Sequence, residues 1–161
     1  MLNKILVSID GSPLSFKALE FAIGLGKACG SRIVVLHVAV PFDLSKLHSF
    51  EMEKLEDDIY ERVLKKATAK EELTVEEMEK AEAGAIETAK KKAAEAGYTN
   101  IEFKEIVNVE PAETVLRQAE LLAVDGIVMG SSGLGLLSSA LLGSVSNKVI
   151  TQAKCPVIVV R

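Results

Sequence analysis

The chain has 161 residues, 48% of them hydrophobic, and a formal charge of −4. That is enough apolar material for a core without metal or disulfide staples, and it lacks the basic excess of a general nucleic-acid binder. With no Trp and 4% aromatics there are few stacking platforms, and Cys29 and Cys155 show no CxxC or Cys/His ligand spacing. Met1 to Asp10 alternate too quickly for a signal peptide, and no apolar run nears the ~20 residues of a membrane span, so one soluble cytoplasmic domain over 1–161 is expected.

Lys4 to Ile9 and Arg32 to Val38 are β-branched-rich runs with almost no polar face, the pattern of parallel strands covered on both sides. Between them Ser12 can cap a helix with Pro13 at its first position. Leu14, Ala18, Leu19, Ala22 and Leu25 form its predicted stripe, and Gly30 closes it. Gly24-Leu25-Gly26-Lys27 is read as a helix-packing patch, because Cys29 stands where a dinucleotide fingerprint needs its third glycine.

From Asp43 to Ala96 the chain is charge-rich and proline-free with one internal glycine, Gly84, and Asp43 to Glu95 carries 15 acids against 10 bases. The spacing predicts helix in two pieces. Leu47, Phe50, Leu55, Ile59, Val63 and Leu64 give it a partial apolar stripe, and the polar stretch Lys65 to Glu82 is expected to be a solvated, mobile or dimer-facing helix. Ile101 to Val107 is a third strand. Pro111 opens a helix with Val115, Leu116, Ala119 and Leu122 inward and Glu110 and Glu113 at its positive end. Gly126 to Met129 is a fourth strand, Ser144 to Ala153 a last helix and Pro156 to Val160 a fifth strand. Strands alternating with helices give a parallel α/β sheet, whose ligands sit beyond the carboxyl ends of the strands where strand order reverses.

The strongest signal is Gly130-Ser131-Ser132-Gly133, then nine residues, then Gly143-Ser144 at the start of a helix. Glycines let the backbone approach a bulky anion, serine hydroxyls donate to phosphate oxygens, and a helix N-terminus favours negative charge. The same residues would also suit a glycine-rich connector with a serine cap.

The spacing Gly130-x-x-Gly133-x9-Gly143-Ser144 resembles the nucleotide-binding signature of the universal stress protein family. Lys4 to Ser12, Leu36-His37-Val38, Val128 to Ser131 and Cys155 to Val160 resemble further family segments in the same order. The resemblance implies a three-layer Rossmann-like domain with a five-stranded parallel sheet of order 3-2-1-4-5 and a long helical insertion after strand two, variable over 43–96. It implies an adenine nucleotide, ATP or AMP, with phosphates at Gly130, Ser132, Gly133, Gly143, Ser144, Val145 and Ser146. Adenine would lie near Val38 and Met129. Ser8, Ile9 and Asp10 would close the site, Asp10 meeting ribose, phosphate or a bridging magnesium ion; its other reading is to orient the turn into the first helix. Ser132 stands where many members place arginine or histidine, and Leu134 adds no charge, so the loop offers no cation to a triphosphate.

Three functions are carried forward. The first is an ATP-binding homodimeric switch in stress response or regulation, paired through Val157 to Val160 and acting on an unknown regulatory protein. The second is a slow magnesium-dependent ATPase, with Asp10 its one acid, and the third a structural dimer that binds no nucleotide. His37 and His48 have no metal-site spacing, and His37 is expected to be a satisfied core or near-site residue. No catalytic residue is assigned.

Overall fold

The computed structural model describes residues 1–40, 75–133 and 142–161. Its strands are β1 (Lys4–Ile9), β2 (Arg32–Ala39), β3 (Ile101–Val107), β4 (Gly126–Gly130) and β5 (Val157–Val160). The helices are α1 (Pro13–Cys29), α2 (Val75–Ala83), α3 (Ala85–Glu95), α4 (Pro111–Leu121) and α5 (Ser144–Gln152). The strands form one parallel sheet in the order β3-β2-β1-β4-β5. The expected architecture and strand order are thus present.

Both faces of the central strands are covered, which is why their sequences read as continuous apolar runs. On one face Ile5, Val7, Ile9, Ile33 and Val35 pack against Phe16, Leu19, Ala22 and Ile23 of α1 and Ala85, Ala89 and Ala93 of α3. On the other, Leu6, Val34, Leu36, Val38, Ile127 and Met129 pack against Ala112, Val115 and Ala119 of α4 and Val149 of α5. Fully burying each Val, Leu or Ile contributes about 1.5–3 kcal/mol, so these two layers carry the fold.

The cap of α1 is as expected: Ser12 Oγ accepts from the Ser15 amide at 3.2 Å, and Gly30, at φ +70°, ends the helix by donating to Gly26 O at 2.8 Å. Its inward stripe, however, is rotated from the predicted one. Phe16, Ile23 and Gly26 are buried, whereas Leu14 and Leu25 are half-buried. The N-terminus of α1 crosses the end of β4 so closely that a Cβ on Gly130 would come within 3.1 Å of Ser15 N and 3.0 Å of Leu14 C. The small Ser15 therefore faces the sheet. Of the two glycines read as a packing patch, only Gly26 is one: an added Cβ would sit 2.5 Å from Tyr98 Oη, while Gly24 meets nothing within 4 Å.

Elsewhere the differences are single residues. α5 stops at Gln152 because Ala153 is already extended. β5 begins at Val157, with Pro156 contributing only its carbonyl, which accepts from Ile127 N at 2.9 Å. The expected helices of the acidic segment appear as α2 and α3 on either side of Gly84, and Gly97, at φ +63°, follows. The stripe from Leu47 to Leu64 and the polar residues 65–74 lie outside the described residues. At the amino-terminal rim, Asp125 Oδ2 accepts from the amides of Asn3 and Lys4, both at 2.8 Å, and fixes β1 beside β4. These two donors, Lys4 first, hold its carboxyl below the usual carboxylate range.

Candidate functional site

The chain leaves β1 toward β2 on one side and later returns to β4 on the other, so the carboxyl ends of β1 and β4 open onto the crevice that α/β sheets use for ligands. A cavity of about 380 Å³ occupies that crevice. Small-molecule sites run from about 300 to 1,000 Å³.

Three structures hold the loop side in place. Gly143 N donates to Ser131 O at 2.8 Å, which folds the end of the 130–143 segment back onto its start. Ser131 N donates to Val160 O at 2.9 Å, anchoring that start to β5. Ser146 Oγ donates to Gly130 O at 2.9 Å. Gly143 packs so tightly that a Cβ there would meet Ser132 Cα at 3.3 Å. It precedes α5 without a side-chain cap, so the first amides of that helix have no internal partner and line the cavity from Ser144, Val145 and Ser146.

Asp10 orients the turn into α1, the second of the two roles expected of it. Its Oδ1 accepts from Ser12 N at 3.0 Å, a local Asx turn that leads the chain into α1. Its Oδ2 lies where a Cβ on Gly133 would collide with it, so the carboxylate reaches across the cavity to the loop. Gly11, at φ +85°, continues the turn, and a Cβ there would strike the Ala81 carbonyl of α2. Glycine is required at that crossing.

All twelve residues expected at the site line this one cavity: Ser8, Ile9 and Asp10 from β1 and its end, Val38 from β2, Met129, Gly130, Ser132 and Gly133 from β4 and the loop, and Gly143 to Ser146. Ser146 differs from expectation in one respect. Its hydroxyl is engaged by Gly130 O, leaving its backbone amide to serve a ligand. Among the described residues no three acidic, His or Cys side chains gather as a metal site. A magnesium ion here would be held by phosphate oxygens and water, with at most the Asp10 carboxylate.

Ser15, Val40, Glu82 and Pro111 also line the cavity and were not anticipated. Ser15 was legible in principle, lying three residues after the Ser12 cap. Glu82, the last residue of the segment expected to be solvated or dimer-facing, departs from the solvated part of that reading: its side chain is only 16% exposed, and Oε1 accepts from Val40 N at 3.0 Å. Burial lifts its carboxyl above the usual carboxylate range. The Val40 amide and His37 oppose that shift, and Asp10 and Glu105 reinforce it. His37 is buried as expected but not satisfied, because Nε2 has no hydrogen-bond partner.

The universal stress protein family model matches residues 1–161. The chain belongs to that family. It is 37% identical over 166 residues to universal stress protein YxiE of Bacillus subtilis, covering all of both chains. Its fold is similar to that of a universal stress protein in complex with cAMP, with TM-score 0.63, 21% identity and coverage of 99% of this chain and 97% of the other. It is also similar to that of the universal stress protein from Archaeoglobus fulgidus in complex with dAMP, with TM-score 0.61, 18% identity and coverage of 100% and 98%. No helix among the described residues of this universal stress protein is long and apolar enough to cross a membrane.

Proposed function

We propose that this protein binds an adenine nucleotide in the crevice beyond β1 and β4 and acts as a nucleotide-dependent homodimeric switch in a stress response. The observation that carries the reading is the convergence of the twelve residues on one cavity. Universal stress proteins of the same fold in complex with cAMP and with dAMP support it. The phosphates would lie against Gly130, Ser132, Gly133, Gly143 and Ser144, with the amides of Val145 and Ser146 completing the helix N-terminus. The base would occupy the apolar end between Val38, Val40 and Met129. Asp10 Oδ2 would meet the ribose or a phosphate, with magnesium entering on the phosphates themselves. The half-buried edge strand Val157–Val160 would pair with a second copy, covering an apolar sheet edge.

Titration calorimetry with ATP, AMP, cyclic AMP and GTP tests the site. Heat is expected with the adenine nucleotides, and its absence with all of them would sink the reading. Light scattering with and without nucleotide reads the dimer.

A further inference from the structure

Glu82 lines the cavity beside Val40 and faces the buried His37, and neither has a place in the reading so far. His37 is 1% exposed on β2. Its Nδ1 faces Glu105 Oε2 of β3 at 3.5 Å, while Nε2, without a partner, stands 4.0 Å from Glu82 Oε1 of α2. With the ring hydrogen on Nδ1, toward Glu105, Nε2 is a lone pair opposite a carboxylate oxygen. Two acceptors face each other with no proton between them. A single proton, on either atom, turns that opposition into attraction and satisfies the buried nitrogen.

The charge of the cavity argues in the same direction. Its described lining holds two carboxylates, Asp10 and Glu82, and no Lys, Arg or His. Residues 134–141, between Gly133 and Leu142, include no charged side chain. An entering nucleotide therefore adds negative charge to a described lining that already holds two carboxylates, Asp10 beside the loop and Glu82 at the Val40 end, offset at the loop by backbone amides and the positive end of α5. The groups facing Glu82 are Asp10 beyond β1, His37 and the Val40 amide from β2, and Glu105 from β3. Asp10 and Glu105 press toward a proton on Glu82 while His37 and the Val40 amide hold it ionised, so an added anion shifts this balance toward the proton.

We propose that Glu82, facing the unpartnered Nε2 of His37, takes up a proton when an anionic nucleotide enters, and that this contact selects ligands by charge. With Glu82 ionised the cavity then prefers a ligand of low charge, a nucleoside or cyclic mononucleotide, over a metal-free triphosphate. The inference rests on the proposed nucleotide site. Its sign follows from linkage: binding that takes up a proton is strongest in acid and weakens as pH rises through the titration of Glu82, whose carboxyl is lifted by burial above the usual range.

Cyclic AMP is the cleanest probe, because its phosphodiester keeps one charge between about pH 5.5 and 8. Calorimetry on the full chain, without divalent metal, in two buffers of different ionisation enthalpy counts the protons directly. Wild type is expected to take up a proton fraction that peaks at about one half and to bind cyclic AMP about tenfold more tightly at the acid end, with adenosine changing less. Glu82→Gln should bind at about pH 8 as wild type does in acid, lose the proton uptake and gain more affinity for ATP than for adenosine. Cyclic AMP binding by wild type with no proton uptake would overturn the proposal and leave the nucleotide site standing. Uptake that persists in Glu82→Gln would overturn the role of Glu82. No adenine ligand binding at either pH would overturn the site and the proposal together. The wild-type proton count does not depend on how well the variant folds.

Discussion

The two ends of the cavity were built by different means. At the loop end, every group but the Asp10 carboxylate comes from one stretch of chain, from Gly130 through the start of α5, closed by the Gly143–Ser131 hydrogen bond and fixed by Ser146 on Gly130. At the opposite end Val38 and Val40 come from β2, while Glu82 comes from α2, 42 residues beyond Val40. Local construction writes itself into spacing, because glycine and serine must recur where the backbone turns and where a helix starts. Construction from distant segments leaves no such period. A carboxylate delivered by an inserted helix looks like any other charge on a solvated face.

The comparison can be broken first at the loop. Gly143→Val is expected to weaken nucleotide binding by about a hundredfold, or about 2.7 kcal/mol, in calorimetry. A branched side chain there presses on Ser132, whose Cα lies 3.3 Å from the added Cβ, and fills the approach of a phosphate. Unchanged affinity would mean that the loop end is only a connector.

Gly11→Ala addresses the other end. The substitution places a Cβ at φ +85° against the Ala81 carbonyl, and is expected to cost about 2 kcal/mol in denaturant unfolding. It should also push α2 away from Val40 and reduce the pH dependence of binding while leaving the loop contacts intact. A stable variant with unchanged pH dependence would show that α2 does not hold Glu82 in place.

The smallest effect belongs away from both ends. Asp125→Asn removes a carboxylate whose acidity is strengthened by the Lys4 and Asn3 amides. A carboxyl held low in the folded state contributes stability above its unfolded pKa of about 4 and loses it as pH falls through the folded value. The variant should therefore melt a few degrees lower at neutral pH, with the gap closing in strong acid, and should bind nucleotide as wild type does. A change in affinity would mean that the two rims of the sheet are not independent.

Most of the fold was legible because the covered strands are apolar on both faces and the breaks between elements carry Ser12-Pro13, Gly30, Pro111 and Gly143-Ser144. The errors have physical causes. The stripe of α1 was set by hydrophobicity, but the close crossing at Gly130 brings Ser15 inward and leaves Leu14 half-buried. Gly24 and Gly26 look alike in sequence, and the positions of Ile33 and of Tyr98, on the far side of the insertion, distinguish them. His37 was placed in the core from its apolar neighbours; its missing partner depends on where α2 and β3 set two glutamates, which no local pattern encodes.

The bond from Ser131 N to Val160 O has a mechanical consequence. It welds the first turn of the loop to the outermost strand, so the two share one opening motion in amide exchange. Whatever protects Val160 from unzipping also protects the Ser131 amide, where the loop begins. The edge of this sheet is thus a handle on its interior.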